Sequence, residues 1–357
     1  MNHKQTTLAV ALAGAVAMGV SSQASAFEYA AAGLSVSGLT IGISPFSAVT
    51  INRFDFTLTN TATLNGASSI ATATCGGTPG PGNNNCTQTL GSMDANAVNA
   101  PGSAPVIRTN NASTGGEFTF FGAPPGATTT GNWSNSDSQI VTAELVNLGS
   151  PTETHNVAES LLNTAASASA SSQIQSVTGF TIVFTVVGGA ATFDLNFLAD
   201  PDLRAAIFGQ PSGTFSAAAN MNTSITLAQN TGGSGFVLWA PRGTQTINDC
   251  IAVGGTTCAE VNDGGVASTT GQQTLNGNVG TTANNTFSNI SWDPNVLTLN
   301  PYGIHVTGLT AGTWTLTLNE VKSTSLAFTP VPEPGILALL GMGLVGLFAT
   351  SRRRSLS

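Results

Sequence analysis

The chain has 357 residues, a formal net charge of −8 and only 7% charged residues. Residues 27–330 carry 5 Lys or Arg against 16 Asp or Glu, a net charge of −11. This balance excludes a nucleic-acid-binding surface, which needs clustered basic residues to displace counterions from phosphates. It also disfavours attachment to anionic lipid.

The N-terminus has the pattern of a secretory signal. Lys4 precedes an apolar run over residues 8–20, and the small residues Ala24-Ser25-Ala26 follow it. An apolar run this short, ending in small residues, is typical of a signal helix that a signal peptidase removes. We therefore predict a signal peptide over residues 1–26, with cleavage between Ala26 and Phe27.

Residues 27–330 show the period-two alternation of apolar and polar residues that predicts β-strands. The clearest runs are 53–59, 180–186, 193–197, 302–306 and 314–318, and weaker ones are 117–121, 139–148, 223–228 and 235–240. Gly188-Gly189 and Thr310-Ala311-Gly312 each join two clear runs, which predicts two hairpins. The predicted fold is mainly β, an antiparallel β-sandwich-like body.

Two short helices and one boundary are predicted within this body. Residues 156–164 and 201–208 are helix candidates, and Asp200 and Pro201 suit the N-cap and first position of the second. The Ala- and Ser-rich run 165–172 has low complexity, which places a domain boundary near residues 165–175 if there are two domains. One large β domain over 27–330 is the alternative.

Four cysteines, an even number, suit an oxidising compartment. Three pairings of Cys75, Cys86, Cys250 and Cys258 are conceivable. The local pairs Cys75–Cys86 and Cys250–Cys258 each enclose a Gly-rich segment that turns the chain back on itself, which favours two local disulfides. A zinc site is disfavoured because the spacings are unsuitable and no histidine lies nearby.

Residues 27–330 contain no recognisable catalytic constellation, so we predict that the protein is not an enzyme. His155 and His305 are predicted to be surface residues. Four carboxylates could supply the acid and base of a glycosidase, but the sequence does not place any two of them close together. We predict that they lie at solvated strand edges and helix caps. They are Glu144, Asp194, Asp200 and Asp202. No cofactor is predicted, and calcium is the one metal that these carboxylates could bind.

Three tryptophans lie beside polar or turn residues and are predicted to be exposed, where they could stack on sugar rings. They are Trp133, Trp239 and Trp292. Trp314 alternates with Leu316 and is predicted to lie in the core. Exposed tryptophans on one flat face would favour a carbohydrate-binding module.

The last 27 residues contain three features in order. Val331-Pro332-Glu333-Pro334 comes first, an apolar run over 336–350 follows, and Arg352-Arg353-Arg354 comes last. A helix over 336–350 would be about 22 Å long, short of the roughly 30 Å hydrocarbon core, so we predict a transmembrane helix that holds the chain only transiently. The arginines place this end in the cytoplasm, and the prolines keep the junction extended and open to cleavage.

This arrangement resembles the PEP-CTERM sorting domain of Gram-negative bacteria, over residues 331–357 alone. The resemblance implies recognition by an exosortase, transient inner-membrane insertion, cleavage near Pro332-Glu333-Pro334 and delivery to the cell surface or an exopolysaccharide matrix. It implies nothing about residues 27–330. We therefore predict an exported structural or adhesive protein of the surface or matrix. The alternatives are a carbohydrate-binding module that contacts exopolysaccharide and a secreted polysaccharide-active hydrolase.

Overall fold

The computed structural model describes residues 27–77, 95–96, 120–122, 131–142, 152–163, 167–175, 180–209, 213–243, 248–264, 273–294, 296–330 and 342. Nearly all regular structure in these residues is antiparallel β-strand, numbered here along the chain, with one 3-10 turn at Phe46–Ala48. The prediction of a mainly β, antiparallel body is confirmed.

Sheet A has eight strands among the described residues. They are β1 (Phe27–Ser44), β4 (Ala95–Asn96), β5 (Trp133–Thr142), β6 (Thr152–Leu162), β9 (Ala191–Phe208), β13 (Thr257–Asp263), β15 (Thr286–Ile290) and β16 (Asn300–Leu309). Their order is β13-β16-β9-β1-β6-β5-β4, and β15 also pairs with β9.

Sheet B has nine strands in the part of the chain that the structure describes. They are β2 (Val49–Leu64), β3 (Ala67–Gly77), β7 (Ser167–Gln175), β8 (Phe180–Val186), β10 (Gly213–Gln229), β11 (Phe236–Trp239), β12 (Cys250–Val253), β14 (Asn276–Thr281) and β17 (Gly312–Pro330). Their order is β12-β11-β10-β17-β7-β2-β3; β14 pairs with β10, and β8 pairs with β17 and β2.

The main core lies between the two sheets. Burial alternates with period two along β2, β10 and β17, because successive side chains point to opposite faces of a strand. The inward apolar residues of both sheets form one cluster that includes Phe56, Phe184, Phe193 and Trp314. The sheets therefore pack face to face as a sandwich.

Both predicted hairpins are wrong. β8 belongs to sheet B and β9 to sheet A, while β16 belongs to sheet A and β17 to sheet B. Gly188-Gly189 and Thr310-Ala311-Gly312 therefore carry the chain across the core from one sheet to the other. Alternation shows which face of a strand is buried. It does not show whether the next strand pairs with it in the same sheet or lies opposite it in the other sheet.

A tight hairpin does occur between β2 and β3. Asn65 and Gly66 connect these strands with φ values of 50° and 80°. Both residues lie in the left-handed region that a two-residue type I′ turn requires, and Asn-Gly is the dipeptide that adopts it most readily. The sequence analysis did not single out this turn.

Both predicted helices are also wrong. Residues 156–162 belong to β6, and residues 201–208 form the second part of β9. Both segments lie inside sheet A and are buried on nearly every side chain, so neither shows the alternation of a half-exposed strand. Asp200 caps no helix; its Oδ2 accepts a hydrogen bond from the backbone N–H of Thr298 at 2.8 Å.

The other predicted elements have mixed outcomes. Runs 53–59 and 223–228 lie within β2 and β10, run 235–240 contains β11, and the first part of run 139–148 lies in β5. Phe120 and Phe121, the described part of run 117–121, are not in a strand. The Ala- and Ser-rich run contributes to β7, which lies between β17 and β2.

The two predicted terminal helices, in residues 1–26 and 336–350, fall outside the described residues apart from Met342. In the part of the chain that the structure describes, no helix is both long and apolar enough to cross a membrane.

Candidate functional site

The described sandwich includes residues next to both predicted processing points. Phe27 lies in β1, with its ring 5.4 Å from that of Phe208, and Pro330 lies in β17. β17 pairs with β10 along its length, from Trp314 opposite Gln229 to Pro330 opposite Gly213. The predicted sorting segment therefore follows directly from a strand inside sheet B.

The predicted processing residues themselves lie outside the described residues. They are Ala26 at the signal junction, the motif Val331, Pro332, Glu333 and Pro334, and the arginines Arg352, Arg353 and Arg354.

The interior changes from apolar to polar along β17. Trp314, Leu316 and Leu318 point inward, and the same alternation then buries Glu320, Lys322 and Thr324 before apolar residues return. Glu320 is 1% exposed and Lys322 is 0% exposed. Charged side chains are rarely this deeply buried unless they are paired, so this part of the interior needs a specific account.

Glu320 is the centre of a group of polar side chains that joins the two sheets. Its Oε2 accepts a hydrogen bond from Asn156 Nδ2 at 3.1 Å and lies 3.8 Å from Lys322 Nζ. Thr154 Oγ1 donates to the same carboxylate at 3.2 Å. Thr154 and Asn156 belong to β6 in sheet A, whereas Glu320 and Lys322 belong to β17 in sheet B.

Burial shifts the pKa values of both charged groups toward their neutral forms. It raises the pKa of Glu320, an effect opposed by Lys322, Thr154 and Asn156. It lowers the pKa of Lys322 to about 8, an effect opposed by Glu320. Both shifts favour the uncharged amine and the protonated carboxyl group over a buried ion pair.

None of the sequence predictions brings these residues together. Asn156 lies in a predicted helix, and the predicted alternation of the last strand ends at Leu318. Continuing it by two-residue steps would have placed Glu320 and Lys322 on the buried face. Lys322 is also the only lysine after Lys4, which is a visible signal in the sequence.

A second group of acidic side chains lies on β9 and the segment after β15. Asp200 and Asp202 are 2% and 1% exposed. One carboxylate oxygen from each of Asp200, Asp202 and Asp293 lies within 4.8 Å of the other two. Asp202 Oδ1 accepts from the backbone N–H of Asp293 at 2.9 Å, and Asp293 Oδ2 accepts from Thr298 Oγ1 at 2.6 Å. The carboxylates of Asp202 and Asp200 therefore hold the backbone of Asp293 and Thr298 against sheet A.

The burial of Asp200 and Asp202 contradicts the prediction of solvated carboxylates. Burial raises the pKa of Asp200 to about 6; the Thr298 N–H opposes this rise and the charge of Asp293 adds to it.

The other two candidate carboxylates do not join this group. Asp194 lies apart from it, with its Oδ1 2.6 Å from His305 Nδ1, and Glu144 is outside the described residues. Oxygen donors of this kind suit calcium, which stays a prediction.

A third acidic group surrounds the disulfide between Cys250 and Cys258, whose Cα atoms are 5.9 Å apart. Glu260 accepts from Trp239 Nε1 at 2.5 Å and from the backbone N–H of Asp249 at 2.9 Å. Asp249 and Asp263 each have an oxygen within 4.8 Å of one on Glu260. The disulfide joins β12 of sheet B to β13 of sheet A, and each is the first strand in the order of its sheet, so this region connects the two sheets at one edge of the sandwich.

The Cys250–Cys258 disulfide is the second of the two predicted local pairs. The Cys75 side chain and all of Cys86 are outside what the structure describes, so the first pair remains a prediction.

The two histidines occupy different environments. His155 is 1% exposed, so its prediction as a surface residue is wrong, and burial lowers its pKa to about 4. His305 is partly exposed, on the face of β16 opposite Ile304 and Val306 as predicted. His155 was misassigned because its neighbours Thr154 and Asn156 are polar, but they are buried as well.

The tryptophans do not form an exposed platform. Trp133 and Trp239 are 0% exposed, so their predicted exposure is wrong, whereas Trp314 lies in the core as predicted. Trp292 is partly buried and packs against Phe120 and Tyr29, with ring centroids 5.0 and 6.1 Å away. No two of the three candidates share an exposed surface.

Comparison with known proteins identifies the tail. Residues 330–354 match the family model of the PEP-CTERM protein-sorting motif, which confirms the resemblance in that segment. Neither curated proteins nor solved structures gave a match to this chain. The motif indicates an exported protein with a C-terminal sorting signal, and it implies processing by an exosortase.

Proposed function

We propose that this protein is a non-enzymatic structural component of the bacterial surface or exopolysaccharide matrix, released from the membrane by an exosortase. One observation carries the proposal: the described sandwich extends as far as Pro330 in its last strand, and the match to the sorting motif begins at that residue. Cleavage near Pro332-Glu333-Pro334 would leave every strand that the structure describes in the exported part.

The interior and the acidic groups favour a structural role over the two alternatives. The buried Trp133 and Trp239 offer no stacking surface to a sugar. The carboxylates of Asp202 and Glu260 accept backbone hydrogen bonds that hold loops in place. A hydrolase needs a free acid and a free nucleophile or base on either side of a substrate cleft.

The sorting step is tested in a bacterium that contains an exosortase. The full chain is compared with a variant in which Pro332, Glu333 and Pro334 are replaced by alanine. We expect the wild type in the surface or matrix fraction, with an intact mass that ends near the motif, and the variant uncut in the membrane fraction. Thr329→Ala, at an exposed position beside the motif, is the control and should be processed normally. A wild-type surface protein that keeps its arginines would contradict the proposal.

The structural role is tested with the exported protein and the matrix of the same bacterium. Deletion of the gene should reduce matrix cohesion, and the full chain should restore it. Incubation of the purified exported protein with the matrix polysaccharide should leave the polysaccharide chain length unchanged. Shortening of the polysaccharide, abolished by Asp200→Asn, would instead identify a hydrolase.

A further inference from the structure

The interface between the sheets holds an amine, an amide and a carboxyl group in one dry place. Lys322, Asn156 and Glu320 are 0%, 1% and 1% exposed. Asn156 Nδ2 and Lys322 Nζ both lie near the same atom, Glu320 Oε2, at 3.1 and 3.8 Å. Neither Lys322 Nζ nor Asn156 Oδ1 has a hydrogen-bond partner among the described residues.

This arrangement is a poor way to bury a permanent ion pair. Burying an ammonium group costs several kcal/mol unless its N–H groups are hydrogen-bonded, and here the nearest carboxylate oxygen is beyond hydrogen-bond distance. An asparagine carbonyl left without a donor adds to this cost. The same three groups, however, are those required for an amine to displace ammonia from a side-chain amide.

We propose that Lys322 and Asn156 become joined by an intramolecular amide bond, with Glu320 as the catalytic acid and base. Uncharged Nζ attacks Cγ of Asn156, forming a C–N bond as the carbonyl opens to a tetrahedral intermediate. Glu320 accepts a proton from Nζ and delivers a proton to Nδ2. The Cγ–Nδ2 bond then breaks, and one ammonia molecule leaves. No oxidant, reductant or cofactor is needed.

The surroundings favour each step of this reaction. Burial lowers the pKa of Lys322 and raises that of Glu320, so it favours both the reactive uncharged amine and the proton-donating acid. Thr154 holds the carboxylate from the other side at 3.2 Å. Because water is excluded from this interior, the intermediate is protected from hydrolysis.

The strands also supply suitable room for the lysine side chain. Inward side chains of β6 alternate as Asn156, Ala158 and Ser160, and Ser160 Oγ lies 2.8 Å from Thr324 Oγ1. Lys322 lies between Glu320, which contacts Asn156, and Thr324, which contacts Ser160, so this spacing sets it against the small residue Ala158. Its Nζ lies 3.8 Å from Glu320 Oε2, the atom that accepts the hydrogen bond from Asn156 Nδ2. The resulting bond would connect the centres of the two sheets covalently.

Mass measurement tests the proposal directly on the exported full chain. After reduction of its disulfides, we expect the wild type to be lighter than its sequence by the mass of one ammonia, and Glu320→Gln, which keeps both reacting residues, to show no deficit. Asn156→Asp should lose water instead and reach the same final mass as the wild type. Asn60→Asp, at another buried asparagine of the interior, should keep the ammonia deficit.

Two further readouts locate the bond even where a variant folds poorly. Trypsin should not cleave the wild type after Lys322, and residues 109–204 should remain linked to a peptide that begins at residue 243 and continues through Lys322. Amine labelling of the denatured protein should modify its N-terminus alone, because Lys322 is the only lysine after Lys4. A wild type with full sequence mass and a labelled Lys322 would overturn the proposal. A deficit that persists in Glu320→Gln would overturn the role of Glu320.

Discussion

The space between the two sheets has an apolar region and a polar region, although the same alternation of side chains builds both. Phe56, Phe184, Phe193 and Trp314 fill the first. The second is filled by side chains that carry hydroxyl, amide or charged groups. They are Asn60, Ser136, Ser138, Thr154, Asn156, Ser160, Glu320, Lys322 and Thr324.

The two regions stabilise the sandwich differently. In the apolar region, burial stabilises the folded state by roughly 25 cal/mol for each Å² of apolar surface removed from water. This stabilisation depends little on how the packed side chains are oriented. The polar region gains little from burial itself, because each group must recover the hydrogen bonds it made with water. Its bonds run between the sheets, as from Ser138 to Asn60 at 2.8 Å and from Ser136 to the Thr61 carbonyl at 3.1 Å. The polar region therefore fixes how one sheet is positioned over the other.

The largest effect is expected in the polar region, from Lys322→Ala. This variant cannot form the proposed cross-link, and a bond that closes a loop of more than a hundred residues contributes roughly 5 kcal/mol through the unfolded chain. Urea unfolding followed by tryptophan fluorescence measures the difference. A loss below about 1 kcal/mol, typical of a surface substitution, would contradict both the cross-link and the buried pair.

In the apolar region, Phe184→Ala should lower the free energy of unfolding by about 3–5 kcal/mol, because it leaves a cavity in a tightly packed core. Val183→Ala, on the neighbouring and half-exposed residue of the same strand, is the matched control and should cost less than about 1 kcal/mol. Equal costs at the two positions would show that β8 does not present Phe184 to the core.

Changing pH should act on Glu28, which is fully buried on β1. Burial raises its pKa to about 8 from 4.5, although the backbone of Ala327 opposes the shift. The folded state then holds a proton that the unfolded state releases above pH 4.5, so stability should fall as pH rises from 4.5 toward 8. Glu28→Gln should remove this decline and be more stable than the wild type at alkaline pH, by on the order of 2 kcal/mol. Thermal unfolding across pH measures both, and parallel curves would contradict the assignment.

The smallest effect is expected from Ser160→Ala. It removes one hydrogen bond between the sheets, to Thr324 at 2.8 Å, and should cost about 1 kcal/mol. Chemical denaturation measures the change. Because the two positions are coupled, the double variant with Thr324→Val should cost less than the sum of the two single variants. Strict additivity would show that the hydrogen bond contributes nothing.

The sequence predicts the strands that are buried on one face. Runs such as 53–59 and 314–318 keep polar side chains outside and apolar side chains inside, so their period is visible. The sheet to which each strand belongs was not predictable, because β8 and β9 have the same alternation in opposite sheets. The strand β6 was missed for a different reason: both of its faces are buried, so no period distinguishes it from a helix.

The candidate site was hidden by the polar composition of the interior. The sequence analysis treated polar neighbours as a sign of exposure, and this misplaced both His155 and Trp133. Trp133 lies between Asn132 and Ser134, and both of these residues are buried. Where an interior contains so many Ser, Thr and Asn side chains, neighbouring polarity does not report exposure. Lys322 is the exception, since a single lysine on an otherwise alternating strand is visible in the sequence.

The position of β17 determines how the sandwich would respond to a mechanical load at its C-terminus. Tension at Pro330 would pull along a strand that is hydrogen-bonded to β10 on one edge and to β7 and β8 on the other. The antiparallel ladder with β10 alone extends from Pro330 back to Trp314. The strand could not be peeled away one bond at a time, because the ladders would be loaded in shear and their bonds would have to break together. A protein tethered through this end would therefore resist being pulled apart at the tether itself.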